Sequence, residues 1–419
     1  MARKSQRRRD GPLQDVTDCT NCLPQGSHLS LVRNLKGGVF AAIAASERLT
    51  NSNAGQQTPL HEIKNFLLLY HASALGTAIH ATPLIPALHQ AIPDCRIAVC
   101  ASGFSLEILR HNPGVDVLIE TPSPLQDLKG AVDKLRIESP FHGQPFATIT
   151  PVGNERTRIA LQALFSGASN RVGFTVQPGL YRVPMTFDST KSQIANNLRI
   201  METLGSTPTP RHFEPQIFFS EQDMEKAREV LATADVTNDQ PVAVFVTQSS
   251  ATQRKGWRAE RFHDVAVFLR EKYGAHILFV GTTRESSAID ELRQGLKFST
   301  TNVAGKTTLP QLAALMSLCT VGLTLDTGPL HVGRAVGLPM VIIAPAWSPP
   351  IEWLPLEDDR FRILKKADVP AAALDYVIDE VSVAQVAAAL EELLSKYSCQ
   401  RVPRQLTASC ISQLNSIQC

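Results

Sequence analysis

The sequence predicts an α/β protein made of two tandem halves, each a parallel sheet with crossover helices. Short apolar runs bounded by loops alternate with helical stretches along most of the chain. The alternation stops at a break carrying Pro208, Pro210 and Pro215 and then starts again. The chain has 419 residues, 43% hydrophobic and 19% charged, which suffices for two domains with sizeable cores and excludes a disordered, collagen-like or coiled-coil protein.

Residues 1–60 read as a basic leader of little pattern, with Arg7, Arg8 and Arg9 clustered and a linker at 51–59. A short helix is expected between Leu31 and Leu49. Cys19 and Cys22 form a lone CxxC, read as ordinary thiols because no second pair accompanies it. No apolar run is long enough to span a bilayer, and the run 37–45 lies too far from Met1 for a secretory signal. A cytoplasmic protein with reduced cysteines is therefore expected. With 41 Lys+Arg against 39 Asp+Glu, bulk charge asks for no nucleic acid.

The first half, 61–215, opens with a strand at Phe66–Tyr70, a loop, and a helical stretch at Ala78–Ile92. Further strands are Arg96–Cys100, Val115–Glu120 and Phe146–Thr150. Their near-continuous apolar character suits a sheet covered on both faces. Asn196–Leu204 is a helix ended by Gly205.

The second half, 216–395, begins with the strand Val242–Val246. Helix Ala259–Lys272 follows, with Phe262, Val265, Ala266 and Leu269 on one face and Gly274 past its end. Next come the strand His276–Val280, a helix from about Glu285, and the helix Leu309–Leu318. Strand Val321–Leu325 feeds helix Pro329–Val336, closed by Gly337. Strand Met340–Ala344 and the amphipathic helix Val381–Leu394 complete the half, and 396–419 is a tail. Two such halves leave a cleft lined by strand C-termini and helix N-termini, where ligands bind.

Four segments carry chemistry. In Leu325–His331, a buried strand delivers Asp326 to its end, Thr327 and Gly328 turn the chain, and Pro329 opens a helix. Such a junction suits a pyrophosphate, and Gly328 offers no Cβ to block it. The same residues also serve ordinary capping and turning. His331 donates to a ligand or simply packs. In 248–257, Lys255 can supply a mobile cation and Ser249 and Ser250 hydrogen bonds to phosphate oxygens. Read plainly, Lys255 is a solvated lysine and Trp257 a core anchor. Glu285, beyond a strand end, either accepts from ribose hydroxyls or caps a helix. In 72–83, one glycine, Gly76, gives no GxGxxG fingerprint, and His80 sits one turn into the helix.

In this order the segments resemble glycosyltransferase family 9, the bacterial ADP-heptose:lipopolysaccharide heptosyltransferases. The matching stretches are LLLYHASALGTAIHATPLIPALHQAIPDCRI (Leu67–Ile97), HNPGVDVLIE, KGWRAERF (Lys255–Phe262), VAGKTTLPQLAALMSLC (Val303–Cys319) and LDTGPLHVGRAVGLP (Leu325–Pro339). The resemblance spans about residues 62–394. It implies a GT-B architecture, two facing Rossmann-like domains with the acceptor on the first and the nucleotide-sugar on the second. It also implies an inverting transfer without a metal or other cofactor, from ADP-heptose to a lipopolysaccharide-type acceptor at the inner membrane surface. Lys255, Thr327 and Gly328 would hold phosphate, Asp326 would orient that loop or the sugar, and Glu285 would hold ribose.

Two departures stand out. The family's Gly-Asp becomes Gly76-Thr77, and a threonine hydroxyl is no base near neutral pH. His71 or His80 would then take the acceptor's proton. Ala344-Pro345 replaces the usual Gly-Pro. A nucleotide-sugar-binding relative without catalysis accounts for Thr77 directly. An epimerase or a Rossmann oxidoreductase would fit the alternation, although the missing GxGxxG disfavours the latter.

Overall fold

The computed structural model describes Ala42 and residues 58–248, 255–348, 350–369 and 376–397. Apart from Ala42, which is helical, and residues 58–60, the leader lies outside the described residues, as do Ser249, Ser250 and the chain beyond 397. The described residues from 58 onward belong to one compact unit.

The first sheet is built from β1 (Asn65–Tyr70), β2 (Arg96–Ala101), β3 (Val117–Glu120), β4 (Ala147–Thr150), β5 (Asn170–Phe174) and β6 (Val183–Met185). Its helices are α1 (Leu75–Ala81), α2 (Leu84–Ala91), α3 (Phe104–Leu109), α4 (Leu128–Glu138), α5 (Thr157–Phe165) and α6 (Gln193–Glu202). The second sheet holds β7 (Val242–Val246), β8 (His276–Phe279), β9 (Thr300–Asn302), β10 (Val321–Leu325), β11 (Met340–Ile343) and β12 (Phe361–Leu364). Around it lie α7 (Glu221–Thr233), α8 (Ala259–Tyr273), α9 (Ser286–Gln294), α10 (Leu309–Ser317), α11 (Gly328–Ala335), α12 (Pro350–Trp353) and α13 (Val383–Tyr397).

Every strand pairs in parallel, so each connection must cross over, and the helices are those crossovers. The first sheet runs β3-β2-β1-β4-β5-β6, and the second runs β9-β8-β7-β10-β11-β12, the same order relative to its own first strand. This is the two-domain α/β GT-B arrangement that the sequence predicts.

Local chemistry sets several boundaries. Gly274 ends α8 in the left-handed region at φ 62°, which a glycine adopts without steric cost. The expected stretch Ala78–Ile92 is two helices, because Pro83 divides it between α1 and α2. The core places Val242, Val244 and Val246 of β7 on one face and Ala243 and Phe245 on the other. The first face joins a buried cluster that runs without interruption from Leu60 in the first half to Phe361 in the second. Continuity arises where α10 and α11 meet the helices of the first half, chiefly α1 against α11 and α3 against α10.

Candidate active site

Strand order locates the site. In each sheet the chain reverses direction across the first-used strand, between β1 and β4 and between β7 and β10. Loops leaving such a pair diverge to opposite faces and open a crevice at their carboxyl ends. His71 and residues 151–156 flank that point in the first half. Lys255 and the turn Asp326–Thr327 flank it in the second.

The second-half crevice is built around a buried ion pair. Lys255 Nζ lies 2.7 Å from Asp326 Oδ2 and donates to the Asp326 carbonyl at 3.1 Å. The side chains are 13% and 4% exposed. Lys255 is therefore no freely moving cation, as the loop sequence suggested, but is fixed to the strand end it faces. Its ammonium also sits 5.7 Å from the ring centroid of Trp347, on the loop after β11. Trp257 is the core anchor, 5% exposed, with Nε1 donating to the Val381 carbonyl.

Thr327 precedes α11 in an extended conformation and makes no capping bond with its side chain. Its Oγ1 is buried without a partner. An uncapped helix start with an unused hydroxyl offers an anion free donors, while the Lys255 charge beside it is balanced by Asp326. Gly328 serves a second purpose, because a Cβ there would lie 3.0 Å from Leu75 Cδ2 of the first half. Glu285 stands at the end of β8, where its Oε2 accepts from the Thr282 N–H at 2.6 Å in a capping box. One of its oxygens is thus engaged in capping.

All three histidines are buried. His331 packs, one of the two roles that its sequence context allowed. It is 4% exposed and packs on Gly76, where a Cβ would stand 2.6 Å from His331 Cδ2. His80 meets it edge-on with ring centroids 4.5 Å apart, and Trp353 flanks both rings. His80 is 1% exposed and neither ring nitrogen has a partner. Burial, with His331 beside it, pushes its pKa well down, and burial pushes His331 down to about 4. His71 is buried against Ser102 and Cys100, with its pKa lowered by burial to about 4. Rings this enclosed and this weakly basic are poor proton acceptors for a substrate in the crevice.

Thr77 lies in the first turn of α1, 7% exposed, with its methyl against Gly153. The turn it touches is strapped from two sides. Asn154 Oδ1 accepts from the His71 N–H at 2.7 Å, and Asn197 Oδ1 accepts from the Val152 N–H at 2.9 Å. Tyr70 fixes α1 to its strand by donating to the Ala78 carbonyl. Asn154, Asn197 and Glu155 were not singled out from the sequence, although Gly153-Asn154 after a strand is a turn signal. Across the crevice, Glu107 of α3 accepts from the Leu309 N–H at 2.8 Å, and Gln193 donates to Glu352 at 2.7 Å. No metal-binding cluster of His, Cys, Asp or Glu occurs among the described residues.

The model of glycosyltransferase family 9 (heptosyltransferase) matches residues 160–367. Lipopolysaccharide core heptosyltransferase OpsX of Haemophilus influenzae is 29% identical over 100 residues, 23% of this chain and 28% of that protein. The chain therefore spans well under half of that relative. Lipopolysaccharide heptosyltransferase 3 of Escherichia coli is 23% identical over 285 residues, 65% of this chain and 79% of that one. In three dimensions the chain is similar to the E. coli ADP-heptose lipopolysaccharide heptosyltransferase II, with a TM-score of 0.65 and 19% identity. That match covers 79% of this chain and 99% of that one. The chain is thus similar to glycosyltransferase family 9 and has the two-domain α/β GT-B fold.

Proposed function

We propose that the protein transfers heptose from ADP-heptose to a lipopolysaccharide-core acceptor, with inversion and without a metal, at the cytoplasmic face of the inner membrane. The observation that carries the donor half is the corner formed by Lys255, Asp326 and the unpartnered Thr327 hydroxyl at the β7/β10 crevice. The relatives' names, which specify heptose, lipopolysaccharide and ADP-heptose, support the substrate classes. In this reading the diphosphate lies on the α11 N-terminus, with Lys255 and Thr327 on its oxygens. Their fixed charge and dipoles stabilise the negative charge that develops as the nucleotide leaves. Glu285 turns its uncommitted oxygen to the ribose.

A second reading, nucleotide-sugar binding without transfer, is favoured by Thr77, which puts no carboxylate on α1. Calorimetry with ADP tests the donor site. Thr327→Val removes a hydroxyl that no protein group uses, so lost affinity reports the ligand contact. A contact to a charged phosphate is worth on the order of 1.5–3 kcal/mol, about tenfold or more. Unchanged ADP affinity in Thr327→Val would remove the phosphate assignment. Release of ADP from ADP-heptose in the presence of a core acceptor then separates transfer from binding alone.

A further inference from the structure

An attacking hydroxyl must give up its proton, and neither Thr77 nor the enclosed histidines can take it. Carboxylates at the carboxyl edge of the first sheet are Glu107, Glu120, Asp127, Glu155 and Asp188. Glu107 is committed to the Leu309 N–H, and Asp127 to the Gly130 N–H at the start of α4. Asp188 holds Thr190 and Lys191 beyond the outermost strand β6, and Glu120 ends the opposite outermost strand β3. Glu155 alone stands at the β1/β4 crevice, half-buried on the turn that leaves β4.

Gly153 ties Glu155 to Thr77. Its N–H donates to Glu155 Oε2 at 2.9 Å. Its other side rests on Thr77 so closely that a Cβ would lie 2.1 Å from Thr77 Cγ2, and its φ of +85° also calls for glycine. Both straps on this turn, from Asn154 and Asn197, hold it in place before any substrate arrives. No lysine or arginine pairs with the Glu155 carboxylate among the described residues, so its second oxygen is left for a ligand.

We propose that Glu155 is the general base of the transfer, a carboxylate carried by the β4 turn instead of by α1. The inference rests on the transfer reading above. The acceptor oxygen bonds to the anomeric carbon as that carbon's bond to the diphosphate oxygen breaks. The nucleoside diphosphate leaves with the electron pair, and the hydroxyl proton passes to Glu155 and then to water.

The test compares wild type, Glu155→Gln, Glu155→Asp and the double variant Thr77→Asp/Glu155→Gln. Each is assayed for ADP affinity by calorimetry and for transfer from ADP-heptose to a core acceptor across pH. Glutamine keeps an oxygen for the Gly153 N–H, so the turn keeps its bond. Glu155→Gln should lower kcat on the order of 10²–10⁴-fold, lose the acid limb of the kcat/KM profile, and bind ADP as wild type does. Thr77→Asp on that background should restore part of the rate, since the carboxylate returns to the other face of Gly153. If Glu155→Gln is poorly folded, Glu155→Asp carries the test and should keep both a measurable rate and the acid limb. A Glu155→Gln rate within about threefold of wild type, or a retained acid limb, overturns the assignment. A wild type that binds ADP but transfers to no acceptor also overturns it while leaving the donor site standing. A wild type that binds no nucleotide overturns the transfer reading itself.

Discussion

Replacing Lys255 by methionine isolates the buried pair that organises the donor crevice. At 2.7 Å and an effective dielectric near 20, the gross attraction between Lys255 and Asp326 is about 6 kcal/mol. Desolvation offsets much of it, so the pair adds little net stability over an apolar substitute. Losing one partner is different. Lys255→Met leaves the Asp326 carboxylate, 4% exposed, without a counter-charge, at a cost of about 3–5 kcal/mol. Asp326→Asn costs less, because Lys255 keeps the Asp326 carbonyl and the face of Trp347. The double variant should be clearly more stable than the sum of the singles allows, by roughly 2 kcal/mol. Urea unfolding followed by tryptophan fluorescence suits the measurement, since Trp257, Trp347 and Trp353 all lie in the second half. A Lys255→Met cost below about 1 kcal/mol, or strict additivity in the cycle, would refute the reasoning.

Two further outcomes follow from the seam between the halves. His71 and His331 are held near pKa 4 in the folded protein, against about 6.5 when unfolded. The unfolded chain therefore binds more protons between these values. Their contribution, on the order of 3 kcal/mol each, is complete above pH 6.5 and is lost as pH falls toward 4. Melting temperatures that do not drop between pH 6.5 and 5, or a slope that His331→Asn leaves unchanged, would count against it. Gly76→Ala should cost about 1–3 kcal/mol, because the new methyl meets a His331 ring already pinned by His80. An unchanged melting temperature for this variant would mean that the halves are less tightly apposed.

Legibility in the sequence followed burial. Central strands such as Phe66–Tyr70 and Val321–Leu325 are covered on both faces, and their apolar runs can be read directly. Strands toward the sheet edges escaped. Val183–Met185 contains Pro184, Thr300–Asn302 is polar, and Phe361–Leu364 carries Arg362, all features an edge tolerates. Helix Glu221–Thr233 also escaped, although Ser220 and Asp223 form a capping box at its start. In the site, the Asp326–Pro329 turn was legible because its chemistry is local. The partnership of Lys255 with Asp326 was not, since 71 residues separate them. Whether a histidine faces a cleft or a seam is equally non-local. The orientation of His331 depends on a glycine in the other half.

The buried cluster that passes from one half into the other has a bearing on how this chain can be rebuilt. Part of the apolar surface of α10 and α11 is covered by α3 and α1 of the first half, so one buried cluster is shared between the halves. Cutting near the prolines at 208–215 would open that shared cluster and the contact of Gly76 with His331 rather than yield two soluble modules. Exchanging second halves with a relative would fail at the same surface. A chimera that respects it must carry α1, α3, α7, α10 and α11 together, with Gly76 and Glu107 retained opposite His331 and Leu309. Altering ligand choice is then a matter of grafting the short loops at the strand ends onto an undivided body.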